Sequence, residues 1–176
     1  MTQQNQVATF MKVSRTQFAQ DWYKVSHEEA MKAAELEPLR NVYDAIRLPA
    51  RATTGSAGYD FFLPADYTFE PGVFTYIQTG IRVRIDPGWM LMLLPRSGLG
   101  FKYHMQLLNT AGIVDSDYFN AKNEGHIAAA ITTEKIFRLN AGDRFMQGIL
   151  VPYGIATNDH ILLKQREGGF GSTGGH

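Results

Sequence analysis

The sequence predicts an all-β fold, a jelly-roll-like antiparallel β-barrel, with an N-terminal helical insertion and a flexible C-terminal arm. Three observations carry this. Between Leu48 and Lys164 the apolar residues fall in short runs parted by turn residues, as in barrels and sandwiches built from many short strands. Residues 1 to about 47 hold the best helical pattern of the chain. Residues 166–176 contain five glycines, which leave a backbone too free to order by itself.

In chain order, Val7 to Val13 reads as a first strand, and Thr16 to Lys24 is ambiguous. Ser26 with Glu29 three residues on forms a capping box, a hydroxyl and a carboxylate that satisfy each other's backbone amides at a helix start. Ala30, Met31, Ala33, Ala34 and Leu36 follow, and Pro38, which lacks an amide hydrogen, ends the run. The helical segment therefore covers about 16–45. Gly55 to Phe62 is a loop of small residues entering a strand. Ile81-Arg82-Val83-Arg84-Ile85 alternates strictly, as a half-buried strand does. Asp86-Pro87-Gly88 is a turn, and Trp89 to Leu94 returns as an apolar strand. His126 to Thr133 and Lys135 to Asn140 read as strands, Ala141-Gly142-Asp143 as a hairpin turn, and Phe145 to Ala156 and Ile161 to Lys164 complete the set. These elements form one barrel domain over 1–164, with 165–176 as an arm.

The chain has 176 residues, with 17 basic and 17 acidic side chains and no cysteine. Zero net charge speaks against bulk binding of nucleic acid, though it leaves room for a few cations around one phosphorylated small molecule. Without cysteine there is no disulfide, thiol nucleophile or thiolate metal site. No apolar run is long enough to span a membrane, and the first residues lack the basic start and apolar stretch of an export signal. The expected location is the cytoplasm.

Four segments carry candidate chemistry. Ala57-Gly58-Tyr59-Asp60 places one acid at a strand start, which a turn before an edge strand also explains. Pro95-Arg96-Ser97-Gly98-Leu99-Gly100 sets a cation, a hydroxyl and two glycines at a strand end. That suits a phosphate cradle, because amides can approach an anion unobstructed; no helix clearly follows, and an ordinary loop remains the alternative. In Gly112-Ile113-Val114-Asp115-Ser116-Asp117-Tyr118, Asp115 follows an apolar pair. It is either a general base or a turn acid. The tail Gly168-Gly169-Phe170-Gly171-Ser172-Thr173-Gly174 offers a stacking ring, hydroxyls and open amides. It is either a frayed end or an arm that orders over a ligand.

Taken in order, with Gly142-Asp143-Arg144-Phe145-Met146-Gln147 as the fourth of five, these segments resemble the motifs of the trimeric dUTPase family, of bacterial or phage type. The resemblance covers residues from about 48 to 176. Four departures stand out. The segment Phe119 to Gly125 is longer than the family's usual turn. Arg166 lies one residue nearer the glycine pair. His104 stands where many members carry glycine. The N-terminal helical segment exceeds the family's usual start.

The resemblance implies hydrolysis of dUTP to dUMP and pyrophosphate by water attack on the α-phosphate. Asp115 is then the general base, and Mg²⁺ is held mainly by the triphosphate and reached by Asp60 through water, unless Asp60 is a structural acid. Arg96, Ser97, Gly98 and Gln147 hold phosphate, while Arg144 is better read as a structural ion-pair partner. Asn109, with the backbone about Gly112, reads uracil, and Tyr118 packs beneath the deoxyribose. Phe170 stacks on the base while Arg166, Gly171, Ser172 and Thr173 grip the phosphates. Three chains of a homotrimer share each site. The alternatives are a dCTP deaminase-like enzyme, which needs a glutamate base, and a phage dUTPase with an added regulatory role, whose protein partner would dock on residues 16–45 or 119–125.

Overall fold

The computed structural model describes residues 6–159. Strand β1 (Ala8–Lys12) leads into three helices, α1 (Arg15–Tyr23), α2 (His27–Ala33) and α3 (Leu39–Ala45). Strands β2 (Ala50–Arg51), β3 (Gly58–Phe62), β4 (Tyr67–Phe69), β5 (Thr75–Ile85) and β6 (Trp89–Pro95) follow. A short helix α4 (Ser97–Tyr103) then precedes β7 (Gln106–Leu107), β8 (Gly112–Val114) and a single 3-10 turn (Ser116–Asn120). Strands β9 (Ile127–Thr132), β10 (Phe137–Leu139) and β11 (Arg144–Pro152) close the order. Pairing is antiparallel throughout, in sheets of order β1-β5-β9-β7, β10-β4 and β2-β3-β11-β6-β8. This is the expected jelly-roll-like arrangement. No helix among the described residues is long and apolar enough to cross a membrane.

The alternation read at Ile81–Ile85 runs through β5 and β9. Ile77, Ile81, Val83 and Ile85 of one and Ile127, Ala129 and Ile131 of the other turn into the core. Phe61, Leu91, Phe145 and Met146 meet them from the five-stranded sheet, each fully buried. At the two-stranded end, Tyr103, Phe137 and Phe69 stack, with ring centroids 4.1 and 4.6 Å apart.

Several expectations are corrected. The turns at Asp86-Pro87-Gly88 and Ala141-Gly142-Asp143 are not hairpins. Each carries the chain between sheets, from β5 to β6 and from β10 to β11. The span carrying Asn109 likewise joins β7 of one sheet to β8 of another. Local turn residues signal a reversal without telling which strand becomes the partner. β3 is not an edge strand, since β2 flanks it. A helix does follow Arg96. β11 stops at Pro152, short of Ala156, and Ile161–Lys164 and the arm lie outside the described residues. The helical run ends at Ala33, and Pro38 instead precedes the separate helix α3, a position where its missing amide hydrogen costs little. The ambiguous stretch is helical, capped by the Ser14 side chain accepting from the Gln17 amide. The capping box at Ser26 forms in both directions.

The helices sit against a two-residue bulge in β5. Pairing with β9 slips between Gln78 and Ile81, leaving Thr79 and Gly80 unpaired in the ladder. Gly80 adopts φ +72°, and a Cβ there would lie 2.3 Å from Ile46 Cδ1 and 3.4 Å from Phe18 Cδ2. Gly142 has a similar φ of +83° but open space around it. Gly80→Ala therefore combines backbone strain with overpacking and should destabilise by about 2 to 4 kcal/mol. Gly142→Ala should cost only about 1 to 2 kcal/mol, the backbone part. Denaturant melts of the two variants check this, and equal losses would contradict the steric part of the account.

Candidate active site

The five-stranded sheet places one acid between two cations. In β3, Phe61 is buried on the core face, and Asp60 faces the other side, 8% exposed. Its Oδ1 lies 3.1 Å from Arg96 Nε and its Oδ2 3.1 Å from Arg144 Nη1. Arg96 Nη1 also donates to the Arg144 carbonyl at 3.4 Å.

A bulge in β11 makes this arrangement. Residues three apart on a regular strand point to opposite faces. Here the register shifts between Arg144 and Met146, so Phe145 and Met146 both turn into the core at 0% exposure. Arg144 and Gln147 thus share Asp60's face, and Gln147 is Asp60's cross-strand partner. Gly58 makes room for Gln147: a Cβ there would stand 2.8 Å from Gln147 Oε1.

Arg96 follows β6 at the N-cap position of α4, its side chain making no capping bond. The Ser97 and Gly98 amides begin that helix, where no intrahelical acceptor precedes them. His104 ends it in the left-handed conformation at φ 54°, which explains why this position suits glycine. Its ring meets Glu134 at 2.5 Å.

These groups line a cleft of about 330 Å³ that brings together Asp60, Arg96, Ser97, Arg144 and Gln147. Ser56, Ala57 and Gly58 line it as well. An adjoining groove shares Asp60 and Arg144 and adds Arg47 and Arg51. Arg47 rests on the Phe62 ring at 3.9 Å, and Arg51 holds the loop by donating to Thr54 O and Ser56 O at 3.1 Å each. Sequence reading assigned no role to either arginine; the available signal was two cations flanking the short segment before the first motif. The cleft carries more positive than negative charge and suits phosphate oxygens. Both oxygens of Asp60 are engaged by guanidinium groups. No cluster of three His, Asp or Glu able to hold a metal occurs among the described residues.

The other predicted site residues lie elsewhere on the chain. Asn109 is exposed in the turn before β8, its carbonyl accepting from Ala111 N at 2.7 Å. Gly112 pairs with Leu93, where a Cβ would meet the Leu93 side chain at 3.2 Å. Asp115 is partly exposed and begins the 3-10 turn, its carbonyl accepting from Tyr118 N at 3.2 Å. Tyr118 is 6% exposed. The β6–β8 register sets Val114 opposite Leu91, so Asp115 falls beside Met90, six residues from Arg96. At the rise of an extended strand this separates the two backbone positions by about 20 Å along the sheet. Arg166, Phe170, Gly171, Ser172 and Thr173 lie outside the described residues.

A dUTPase family model matches residues 44–174. The deoxyuridine 5'-triphosphate nucleotidohydrolase of Paraburkholderia phymatum is 41% identical over 137 residues, covering 74% of this chain and 90% of that protein. The crystal structure of dUTPase from Streptococcus mutans superposes with a TM-score of 0.58 at 32% identity, covering 65% of this chain and 91% of that one. A Staphylococcus bacteriophage 80alpha dUTPase with dUpNHpp shares the fold at a TM-score of 0.61 and 19% identity, covering 97% of this chain and 99% of that one. The family match takes in every strand that lines the cleft, and the identity extends over three quarters of the sequence: this chain belongs to the dUTPase family.

Proposed function

We propose that this chain hydrolyses dUTP to dUMP and pyrophosphate, taking the nucleotide with Mg²⁺ already on its phosphates. The observation that carries this reading is the Arg96–Ser97–Gln147 cleft around Asp60, built on a barrel of the dUTPase family. Arg96, the Ser97 hydroxyl, the Ser97 and Gly98 amides and Gln147 bind phosphate oxygens. Asp60 serves chiefly to orient the two arginines, a role its contacts support over a water-mediated one to metal. When bound to the substrate, Mg²⁺ would neutralise phosphate charge and make pyrophosphate a better leaving group.

Asp115 accepts a proton from a water whose oxygen bonds to the α-phosphorus, while the bond from that phosphorus to the bridging oxygen of pyrophosphate breaks. A carboxylate suffices because the leaving group is good and orientation carries most of the demand. Asn109 and the backbone about Gly112 bind uracil, since an amide both donates and accepts. Tyr118 underlies the deoxyribose. The cleft and Asp115 are about 20 Å apart along β6 by strand rise. This supports a homotrimer in which Asp115 of one chain serves the cleft of another. The segment 166–176 closes the site, with Phe170 on uracil and Arg166, Gly171, Ser172 and Thr173 on phosphates.

With dUTP and Mg²⁺, the protein should release pyrophosphate and dUMP in equal amounts, and with dCTP no ammonia. Asp115→Asn should lower kcat by about 10² to 10⁴ while a non-hydrolysable dUTP analogue still binds. Near-normal turnover in that variant would remove Asp115 from the base position.

Deleting residues 166–176 should leave the melting temperature nearly unchanged, because five glycines and one large apolar residue add little core. Turnover should fall severely. Phe170→Ala should reproduce part of the loss, about 1 to 3 kcal/mol, and Phe170→Trp less. Full turnover by the truncated protein would mean that the tail is only a frayed end.

A further inference from the structure

The N-terminal helices lie mostly before the stretch that the family model matches, residues 44–174, yet they reach the third motif through one buried contact. His126 is 1% exposed, and its Nδ1 lies 2.5 Å from Asp21 Oδ2 of α1. Its Nε2 accepts the Gly80 amide at 2.8 Å. The Gly80 contact fixes the tautomer: the lone pair is on Nε2, so the proton is on Nδ1 and is donated to Asp21. Gln17, one turn earlier on α1, donates Nε2 to the same Asp21 oxygen at 2.9 Å.

The His126 backbone continues the connection. Tyr118 OH donates to His126 O at 2.8 Å and accepts from Asn123 Nδ2 at 2.9 Å. The loop between them is short and tight. Gly125 has φ +70°, and a Cβ there would stand 2.6 Å from the Tyr118 carbonyl oxygen. Glu124 accepts from Ser14 N at 2.8 Å and Ser14 Oγ at 2.6 Å, and Arg82 Nη2 donates to Phe119 O at 2.7 Å. The segment 119–125, one of the two expected docking surfaces for another protein, is thus engaged by the chain's own β1–α1 junction and β5.

We propose that Asp21 and His126 are a positioning pair for Tyr118, so that the N-terminal helices help set the sugar selectivity of the site. The inference rests on the reading of Tyr118 as the residue beneath the deoxyribose. Asp21 holds the imidazole, the imidazole holds the His126 peptide against the Gly80 bulge, and that peptide's oxygen holds the Tyr118 hydroxyl. A ribose 2′-hydroxyl is excluded only while the ring cannot retreat. Without Asp21, a buried Nδ1–H loses its acceptor, the imidazole must turn or draw in water, and Tyr118 gains freedom to move. Asp115, three residues before Tyr118 on the same turn, moves less because β8 pairing holds Val114 against Leu91. The effect therefore falls on KM and on selectivity more than on kcat.

The test is steady-state hydrolysis of dUTP and of UTP by the full chain, with a thermal melt of each protein. Asp21→Ala should raise KM for dUTP and lower the dUTP-to-UTP ratio of kcat/KM about tenfold, the scale of one charge-assisted hydrogen bond. Asp21→Asn retains an oxygen that can accept from Nδ1–H and should recover most of that ratio. Tyr118→Phe should lose selectivity to a similar degree, and the double variant Asp21→Ala with Tyr118→Phe no more than either alone, as expected for members of one chain of contacts. If Asp21→Ala does not fold, Gln17→Leu, which frees the Asp21 carboxylate without removing it, should give a smaller loss of the same kind. An unchanged ratio with a lowered melting temperature, or additive losses in the double variant, overturns the proposal and makes the pair a structural clasp alone. If the unmodified chain fails to hydrolyse dUTP, the functional reading itself fails and takes this inference with it.

Discussion

The site depends on one carboxylate held between two guanidinium groups. Arg96 directly follows β6 and Arg144 begins β11, two neighbouring strands, and without an intervening anion the two like charges would repel each other. Asp60 stands between them with one oxygen toward each, 3.1 Å away in both cases. The arginine side chains are 31% and 45% exposed, so each pair contributes on the order of 1 kcal/mol or less to stability. Their larger contribution is direction. The contacts direct one nitrogen of each guanidinium group to Asp60 and leave the cleft with surplus positive charge, which suits an anion. The bulge at Phe145, the absence of a side chain at Gly58 and the end of β6 at Pro95 all bring these groups to the same face.

A second constraint lies on the four-stranded sheet. The Gly80 bulge opens β5 where the N-terminal helices dock, and it supplies the amide that orients His126. Phe18 and Ile46 close over it, and Tyr43 OH donates to Val13 O at 2.6 Å. The third motif is thereby backed by the helices, with Tyr118 anchored from behind. The Asp60 cleft and Tyr118 are in this way supported by different sheets of the barrel and by different parts of the chain.

The barrel strands were legible in the sequence because their periodicity is local. Ile81–Ile85 alternates, and the core alternates with it. The capping box at Ser26 was legible for the same reason, since hydroxyl and carboxylate lie within one helical turn. Partner choice was not, and for that reason both Asp86-Pro87-Gly88 and Ala141-Gly142-Asp143 looked like hairpins although they change sheets. Helix α4 was hidden because Gly98 and Gly100 are poor helix formers. Arg144 as a structural ion-pair partner was expected, through the family resemblance; that its partner is Asp60 was not, because the two lie 84 residues apart on different strands. The pairing of Asp21 with His126 joins residues 105 apart in sequence, one on a helix and one in the loop just before β9, with no shared pattern. Nothing short of the folded chain could bring them together.

The central claim is that the Asp60–Arg96–Gln147 cleft and Asp115 belong to one site built from different chains. Co-expression of two differently tagged variants, Arg96→Ala and Asp115→Asn, each of which impairs a different half of the site, tests it most directly. In mixed trimers purified through both tags, one site in three should combine an intact cleft with an intact Asp115 if each site draws the two from different chains in cyclic order. The account predicts that such trimers regain dUTP turnover well above either parent. Mixed trimers that contain both variants and yet remain as inactive as the parents would contradict it.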